Sequence, residues 1–422
     1  MISMPTDSGA KKPAALLSVA DATTAILAML PRTAKVEMPL ADCLGLRLAE
    51  DLTAVLTLPP QSVSAMDGYA VRQDDVATLP AKLRRIAESA AGHPWQGRIG
   101  SGEAVRVFTG AAIPEGADTI VIQEDVDAVA EENGAVITVR DAEVAGRYIR
   151  PAGLDISAGE IILSAGTLMS ARSIALAIAS GLTHATVHQR PRIGILSTGD
   201  ELVLPGQNPG NGQIISSNAA FLSAFVQTIG AVAVDLGIAR DRPGAMLRAV
   251  RAVPNLDLVV TTGGASVGNH DHIVGDLNQG AKGQAGGLNF WKIAMRPGKP
   301  LISGRVDDIP LIGLPGNPVS TAVCALIFLG PAIARLCNGV AEQPQFLVRL
   351  AADLAENDQR QDYIRATLSG VGADQLVTPA TRQDSSMMAV LAKANALIVR
   401  PPFDPVKKAG DLVSVLPIPP LF

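Results

Sequence analysis

The sequence is poor in cysteine, in aromatic residues and in net charge, and each shortage excludes a class of protein. Three cysteines, Cys43, Cys324 and Cys337, are too few and too far apart for a disulfide framework or a zinc cluster, which indicates a reducing compartment. Aromatic residues make up 3% of the chain, and the formal net charge is −5. We therefore expect neither base stacking nor long-range attraction to a polyanion, and predict no nucleic-acid partner.

A secretory signal and a membrane-spanning segment are not predicted either. The N-terminal residues are polar and contain no apolar core. The longest apolar run, from Thr321 to Ala334, is interrupted by Gly330 and Pro331 and is shorter than the ~20 residues needed to cross a bilayer. We interpret this run as a buried helix and the protein as cytoplasmic, with no membrane contact.

Apolar residues, by contrast, are plentiful, at 48% of the 422 positions. Domains of about 100–200 residues would divide such a chain into several units, each with its own core. Segments 35–53 and 160–181 are each too short to bury a core, so we expect them to pair across the segment inserted between them. The predicted division is a frayed tail over 1–14, a helix over 15–34 that packs with the α/β domain, a linking domain from 35–53 plus 160–181, an inserted β-rich domain over 54–159, an α/β domain over 182–341 and a C-terminal β domain over 342–422.

Short alternating strands without helical periodicity predict the two β domains. In the inserted domain they are expected at 105–108, 119–122 and 136–139, and in the C-terminal domain at 346–350, 396–399 and 412–416. The C-terminal set suggests a small barrel.

Strands and helices alternate between residues 191 and 338, which predicts a doubly wound, mostly parallel sheet. Ser217 or Asn218 is predicted to cap the helix that follows the first strand. The strands are expected at 192–196, 232–238, 256–260, 290–295 and 310–314.

Three of these strands run into loops rich in glycine and small hydroxyl side chains. Their sequences are STGDEL at 197–202, TTGGASVG at 261–268 and LPGNPVS at 314–320. Because ligands of open parallel sheets bind beyond the carboxyl ends of the strands, the loops are expected to line one edge. None of them matches a Walker A loop or the dinucleotide fingerprint. Their backbone N–H groups and hydroxyls predict a site for an anion.

Charged residues of both signs are predicted at the same edge. Carboxylate and phosphate oxygens together suit the octahedral shell of Mg²⁺, while lysine and arginine neutralise the remaining phosphate charge. The residues therefore predict a Mg²⁺ site beside a phosphate-bearing ligand. The carboxylates are Glu201, Asp241 and Asp271, and the cations are Lys292, Arg296 and Lys299.

Seven motifs, taken in order, resemble those of the molybdopterin molybdenumtransferase family, the MoeA type that includes the gephyrin E domain. The similarity runs from about residue 15 to the C-terminus. The motifs are SAMDGYAVR, RVFTGAAIPEGAD, YIRPAGLDISAG, GILSTGDEL, TTGGASVGNHD, FWKIAMRPGKP and GLPGNPVS.

The resemblance implies an enzyme of molybdenum cofactor biosynthesis. Such an enzyme inserts molybdate into adenylylated molybdopterin, with Mg²⁺-dependent release of AMP. The implied fold class is multi-domain α/β and β, in which the doubly wound α/β domain resembles a molybdopterin-binding fold. It is joined by an inserted β-rich domain, a small linking domain and a C-terminal barrel-like domain. The implied assembly is a homodimer with the site shared between subunits, and the molybdopterin adenylyltransferase is an expected partner.

Position by position, the resemblance also implies the residues of the site. Catalytic roles fall to Glu201, Asp241, Lys292 and Arg296, and the metal site to Asp271, Asp241 and Glu201. Family members often have lysine where Arg296 stands, and arginine keeps the charge but is planar and bidentate. Together with the strand-end loops, the resemblance predicts that the pterin and its phosphate are bound by Asp67, Thr109, Asp155, Thr262, Gly263, Gly264, Ser266, Gly268, Lys299, Pro315, Gly316, Asn317, Pro318, Ser385 and Ser386.

Two alternatives stand beside this prediction. One is a molybdopterin-binding scaffold without turnover, although such a scaffold has no need of Glu201 and Asp271 together. The other is the same chemistry with tungstate in place of molybdate.

Overall fold

The computed structural model describes residues 16–131, 134–142, 144–263, 289–340, 343–420 and 422. The chain divides into two compact units. The β-rich unit comprises Glu37–Leu44 and Glu50–Thr186, and the α/β unit comprises Met1–Val36, Gly45–Ala49 and Val187–Phe422. The finer domain boundaries given above stay predictions.

The strands from β1 to β12 precede the α/β sheet. They are β1 Lys35–Pro39, β2 Leu52–Thr53, β3 Val63–Ser64, β4 Gly68–Val71, β5 Ala81–Ser89, β6 Glu103–Val107, β7 Thr119–Ile122, β8 Val126–Glu131, β9 Gly134–Val139, β10 Ile149–Arg150, β11 Ile161–Leu163 and β12 His184–His188. The later strands are β13 Arg192–Thr198, β14 Leu202–Val203, β15 Ile214–Ile215, β16 Val232–Ala239, β17 Leu258–Thr262, β18 Asn289–Lys292, β19 Met295–Arg296, β20 Pro300–Val306, β21 Ile309–Leu314, β22 Phe346–Leu350, β23 Gln361–Ser369, β24 Leu376–Pro379, β25 Ala396–Arg400 and β26 Leu412–Pro417.

The helices vary from one to three turns. The α-helices are α1 Val19–Ala28, α2 Ala171–Ala179, α3 Ser217–Thr228, α4 Ala245–Arg251, α5 Pro318–Cys324, α6 Gly330–Leu336 and α7 Met388–Lys393. A π-helical turn over Ala325–Leu329 joins α5 to α6. Single 3₁₀ turns occur at Leu40–Asp42, Gln73–Val76, Gln123–Asp125 and Gly372–Asp374.

The β-rich unit contains a six-stranded sheet in the order β7-β4-β6-β5-β9-β8. Its alternating strands bury aliphatic side chains such as Val105, Ile120 and Ile137. In the same unit β2 pairs antiparallel with β11, so segments 35–53 and 160–181 pair as expected. This pairing lets two short segments complete each other's hydrogen bonds across the insertion.

The α/β sheet has the order β16-β13-β17-β21-β20-β18. The first four strands are parallel, and β20 runs antiparallel to its neighbours on both sides. The predicted mostly parallel sheet is thus confirmed. Every residue of β17 is buried, as expected for a central strand covered on both faces. Helix α1 contributes Val19, Ala22 and Ile26 to the core of this unit.

Residues 318–336 form one continuous helical rod, which confirms the buried helix predicted for the apolar run from Thr321 to Ala334. Pro331 follows closely after the π turn, whose wider hydrogen-bonding pattern accommodates a residue that has no N–H group to donate. Within the described residues this rod, Pro318–Leu336, is long and apolar enough to cross a membrane by composition, but 83% of it is buried inside the fold. It is therefore a core helix.

The C-terminal strands form a closed barrel in the order β23-β24-β22-β26-β25, closed by pairing of β25 with β23. This confirms the predicted barrel. The single strand predicted over 290–295 is wrong, because the chain divides it between two sheets. Strand β18 joins the α/β sheet, while β19 leaves it and pairs with β23 of the barrel, where Arg296 lies opposite Asp362.

Candidate active site

A cavity of about 1260 Å³ lies at the carboxyl ends of β13, β17 and β21 in the α/β unit. The three predicted strand-end loops and the C-terminal barrel all contribute to its wall. The predicted site residues that line it are Glu201, Asp241, Thr262, Gly263, Lys292, Arg296, Lys299, Pro315, Gly316, Asn317, Pro318, Ser385 and Ser386.

The turn after β17 brings two strand ends into close contact. Gly263 has a φ of +91°, and a Cβ atom there would lie 2.6 Å from the carbonyl oxygen of Thr198. Only glycine fits this position without strain. The Thr198 hydroxyl donates to the carbonyl of Thr262 at 3.4 Å, which ties the end of β13 to the end of β17.

The amide of Asn218 ties β17 to the third loop. Its Nδ2 atom donates to Thr262 Oγ1 at 2.9 Å and to the carbonyl of Gly316 at 2.7 Å. The predicted cap at Ser217 or Asn218 is therefore wrong. Ser216 occupies the N-cap position of α3, and its hydroxyl forms a hydrogen bond with the hydroxyl of Ser197 instead of capping the helix. These partners come from distant loops and outcompete local capping.

The acidic loop after β13 is held beside the end of β16. The Glu201 carboxylate lies over Gly199, where an added Cβ would come 2.6 Å from Glu201 Oε1. The backbone N–H of Asp241 donates to Asp200 Oδ1 at 3.3 Å, and Arg240 Nη1 donates to the carbonyl of Asp200 at 2.9 Å. The two predicted acids, Glu201 and Asp241, thus line one cavity from adjacent strand ends.

Arg296 lines the cavity, but its guanidinium is already paired. It donates to the carboxylate of Asp362, lies 3.5 Å from Asp358 Oδ2, and donates to Asn357 Oδ1 at 3.4 Å. The Asp362 side chain is 6% exposed, so this pair is partly shielded from water. Two carboxylates of the barrel segment compete for its charge, and the role of Arg296 as an anion clamp stays a prediction.

The lining of the cavity carries more positive than negative side chains. Lys292 and Lys299 lie at either end of the turn between β18 and β20, where the Ile293 N–H group donates to the Lys299 carbonyl at 2.8 Å. Among the residues that the structure describes, no acidic group forms an ion pair with either lysine. Within these residues, neither ammonium group has a carboxylate partner that an anion would have to displace. The lining cations are Arg240, Arg242, Lys292, Arg296, Lys299 and Arg360, and the lining carboxylates are Glu201, Asp241 and Asp384.

A loop of the barrel contributes the two predicted serines. Asn317 Nδ2 donates to Ser385 Oγ at 2.9 Å, and the Val319 N–H group donates to the Ser385 carbonyl at 3.1 Å. The Ser386 hydroxyl and N–H group both donate to Asp384 Oδ1, which lowers the pKa of that carboxyl. The loop is thereby fastened to the start of α5.

A buried arginine supports this serine loop from inside the barrel. Arg365 is 1% exposed, and it donates to Gln383 Oε1 at 3.0 Å and to the Asp384 carbonyl at 2.7 Å. Gln383 Nε2 donates back to the Arg365 carbonyl at 3.0 Å. The serines are consequently held by a rigid strand and not by the loop alone.

Asp67 and Thr109, both in the β-rich unit, form a second polar pair. The Thr109 N–H group and hydroxyl donate to Asp67 Oδ1 at 2.7 and 2.8 Å. These bonds, with a smaller contribution from the charge of Arg106, lower the pKa of the Asp67 carboxyl. The Arg106 guanidinium lies over the rings of Tyr69 and Phe108, with its Cζ atom 4.9 and 5.3 Å from their centroids. The lowered pKa keeps the Asp67 carboxyl ionised near neutral pH.

Asp155 lies elsewhere in the β-rich unit. It lines a small cavity of about 440 Å³ together with Arg150, and its N–H group donates to the Leu58 carbonyl at 3.0 Å. The remaining predictions, Gly264, Ser266, Gly268 and Asp271, lie outside the described residues.

Several lining residues were not predicted from the sequence. Arg240 and Arg242 flank Asp241 at a strand end, so the rule that found Asp241 could have found them. Asn218 was noticed only as a helix cap. Arg360 and Asp384 come from the barrel, where no local pattern marks them.

Comparisons with known proteins agree with this architecture. Residues 17–181 match the family model described as MoeA N-terminal region (domain I and II), residues 194–335 match Probable molybdopterin binding domain, and residues 348–418 match MoeA C-terminal region (domain IV). A molybdopterin biosynthesis MoeA structure from Pyrococcus horikosii superposes with a TM-score of 0.78 at 26% identity, covering 96% of this chain and 99% of that one.

Curated relatives extend the similarity over most of the chain. The molybdopterin molybdenumtransferase of a Nostoc species is 36% identical over 388 residues, which is 89% of this chain and 87% of the relative. The protein of the same name from Haemophilus influenzae is 32% identical over 407 residues, 95% of this chain and 98% of the relative. The resemblance predicted from seven motifs is confirmed, and the chain belongs to the molybdopterin molybdenumtransferase family.

Proposed function

We propose that this protein inserts molybdate into adenylylated molybdopterin, releasing AMP. The observation that carries the proposal is the convergence, in one large cavity, of three strand-end loops, two carboxylates and two lysines that form no ion pair with any residue the structure describes. A net positive lining suits ligands that carry a phosphate and an oxyanion. A volume of about 1260 Å³ accommodates a ligand of nucleotide size together with molybdate.

The residues divide by chemistry. Lys292 and Lys299 would neutralise oxyanion charge, since both are exposed and neither is paired with an acidic residue in the described ranges. Thr262 and Gly263 with the 315–318 loop would hold the pterin phosphate through hydroxyl and backbone N–H groups. Glu201 would serve as the acid or base beside the reacting centre. Arg296 would hold the barrel against the cavity wall, and Ser385 and Ser386 would contribute hydroxyls.

In the reaction an oxygen nucleophile, from water or from molybdate, adds at the adenylate phosphorus, and the phosphoanhydride bond breaks so that the pterin phosphate leaves and AMP is formed. The two dithiolene thiols bond to molybdenum, and their protons leave with an oxygen of molybdate as water, so no oxidant or reductant is needed. Both changes involve anions throughout, so cationic side chains that need no reorganisation would lower the barrier.

Mg²⁺ fits the donor chemistry of the cavity. Glu201 and Asp241 present hard carboxylate oxygens in its wall, and Asp271 is the third predicted ligand. The described part of the chain contains no cluster of three such ligands by itself. We propose that these three carboxylates would hold the ion, which would offset phosphate charge when bound.

We also propose a homodimer in which Asp67, Thr109 and Asp155 complete the partner's site. Exposed apolar side chains of the β-rich unit support a buried interface. They include Leu44, Val55, Leu56, Ile161, Leu168 and Ile178. Sedimentation at micromolar concentration should give twice the monomer mass, and a monomer at that concentration would contradict the proposal.

We also propose that the protein is cytoplasmic and that it meets the adenylyltransferase that supplies its substrate. The reduced state expected of Cys43 and Cys324, which are buried and unpaired, is consistent with that compartment.

The direct test is AMP release. Purified protein given adenylylated molybdopterin, Mg²⁺ and molybdate should release AMP, and Glu201→Gln and Asp241→Asn should each slow release by about a hundredfold or more. Asp271→Ala should abolish it without unfolding the protein. Asp235→Asn, an exposed acid of β16 outside the cavity, is the matched control. No AMP release by the wild type would contradict the enzyme and favour the scaffold. Competition with tungstate would establish metal preference.

A further inference from the structure

The hydrogen-bond polarity of one amide in the cavity is fixed by a backbone carbonyl. Asn218 places a terminal atom of its amide 2.7 Å from the carbonyl oxygen of Gly316. Because a carbonyl oxygen only accepts hydrogen bonds, the atom facing Gly316 must be the amide nitrogen. The orientation of the Asn218 amide therefore follows from chemistry.

The fixed orientation of the Asn218 amide also determines how the Thr262 hydroxyl can form hydrogen bonds. The second hydrogen of Asn218 Nδ2 is donated to Thr262 Oγ1 at 2.9 Å, so both amide hydrogens are used. Thr262 Oγ1 accepts in this bond and keeps its own hydrogen for another acceptor. The Thr198 hydroxyl donates to the carbonyl of Thr262, and no hydrogen bond joins the hydroxyls of these two described residues. In the described part of the chain, the Thr262 hydroxyl hydrogen meets no acceptor.

Thr262 is 3% exposed and lines the cavity, so a ligand there can take up this hydrogen. A buried hydroxyl left without an acceptor is unfavourable, whereas one aimed at an anion forms a strong bond. Lys292 and Lys299 line the same cavity and favour an anion as the acceptor.

We propose that Asn218 is a positioning residue that sets the Thr262 hydroxyl as a hydrogen-bond donor to an oxyanion in the cavity. The proposal rests on the proposed function for the nature of the ligand. A phosphate oxygen and a molybdate oxygen share the required chemistry. Asn218 performs this role by joining the end of β17 to the loop that precedes α5.

Substitutions at Asn218 separate this role from simple packing. Asn218→Asp keeps the shape but cannot donate to Gly316 or Thr262, and the new carboxylate would draw the Thr262 hydrogen toward itself. Asn218→Ala removes the constraint and leaves the hydroxyl free to rotate. Oxyanion affinity should therefore fall more in Asn218→Asp than in Asn218→Ala.

The experiment measures binding of molybdate and of AMP, separately, to the full chain by calorimetry. Thr262→Val should lower the affinity for whichever of the two anions contacts the hydroxyl by about tenfold or more. Thr262→Ser should restore that affinity. Loss confined to molybdate identifies a molybdate contact, and loss confined to AMP identifies a phosphate contact. In the double variant, Thr262→Val should cost little beyond Asn218→Asp, because the hydroxyl is already diverted.

Asn395→Asp is the matched control, since Asn395 also donates to a backbone carbonyl, that of Leu368, but lies outside the cavity. It should leave both affinities unchanged. Equal affinities in wild type and Thr262→Val, or additive losses in the double variant, would overturn the proposal while leaving AMP release intact. A wild type that binds neither probe would contradict this proposal and the proposed function together. Thermal melting of every variant excludes unfolding as the cause.

Discussion

Arg296 and Asp362 form an ion pair that joins the wall of the cavity to the C-terminal barrel. Arg296 lies in β19, the strand that leaves the α/β sheet, and Asp362 lies opposite it on β23. Lysine, with one point of charge, could not contact Asp362, Asp358 and Asn357 together as the planar guanidinium does. Arg296 therefore makes contacts with the barrel segment that a lysine at this position could not make together.

Asp362→Asn should lower the free energy of unfolding by about 1–3 kcal/mol, because it removes a charged acceptor from a nearly buried site. Urea denaturation followed by circular dichroism measures this change. The control is Asp353→Asn, which breaks the exposed pair with Lys408 and should have a smaller effect. If the two substitutions lower the free energy of unfolding equally, the burial of Asp362 does not make its ion pair more stabilising than an exposed one.

Thr109→Val should raise the pKa of the Asp67 carboxyl toward its ordinary value. The backbone N–H group of residue 109 still donates to Asp67, so the rise should be partial. Since folding lowers this pKa, its contribution to stability is present above the ordinary aspartate value of about 3.9 and is lost as pH falls through the native pKa. In Thr109→Val the native pKa lies closer to the ordinary value, so the Asp67 carboxyl should contribute less to stability and lose that contribution over a smaller pH range.

Carbon NMR of the carboxyl group as a function of pH measures the Asp67 titration directly. Thr109→Ser retains the hydroxyl and should leave the pKa as in the wild type. A pKa in Thr109→Val identical to that of the wild type would show that the hydroxyl has no part in it.

Gly263→Ala should destabilise the protein by roughly 2–4 kcal/mol, because it combines a positive φ with overlap between the new Cβ and the Thr198 carbonyl. Gly206→Ala has a similar φ of +87° but open space around the added atom, and should cost only about 1–2 kcal/mol. Thermal melting compares the two. If the two variants have the same melting temperature, the close approach of the Thr198 carbonyl is not the reason for glycine at position 263.

Much of the fold follows from local patterns in the sequence. Strand Thr119–Ile122 has the predicted bounds. The strand predicted over 256–260 is buried as expected, but it runs over Leu258–Thr262 and so includes the first two residues of the predicted loop. A helix is predicted over 15–34, and α1 forms within it at Val19–Ala28, where the Ser18 side chain caps it by accepting from the Asp21 N–H group. Periodicity and capping depend on neighbours within a few residues, which is why the sequence alone determines them.

The strand-end loops and their order along the chain also determined the family and most of the cavity wall. Tertiary structure decided the remainder. Asn218 was predicted to cap its own helix and instead joins Thr262 to Gly316, 44 and 98 residues away. Arg296 was predicted to meet an anion and is paired with Asp362, 66 residues away. Such partners are chosen by the packing of distant segments, because a polar group removed from water bonds to whichever complementary group the fold brings nearest.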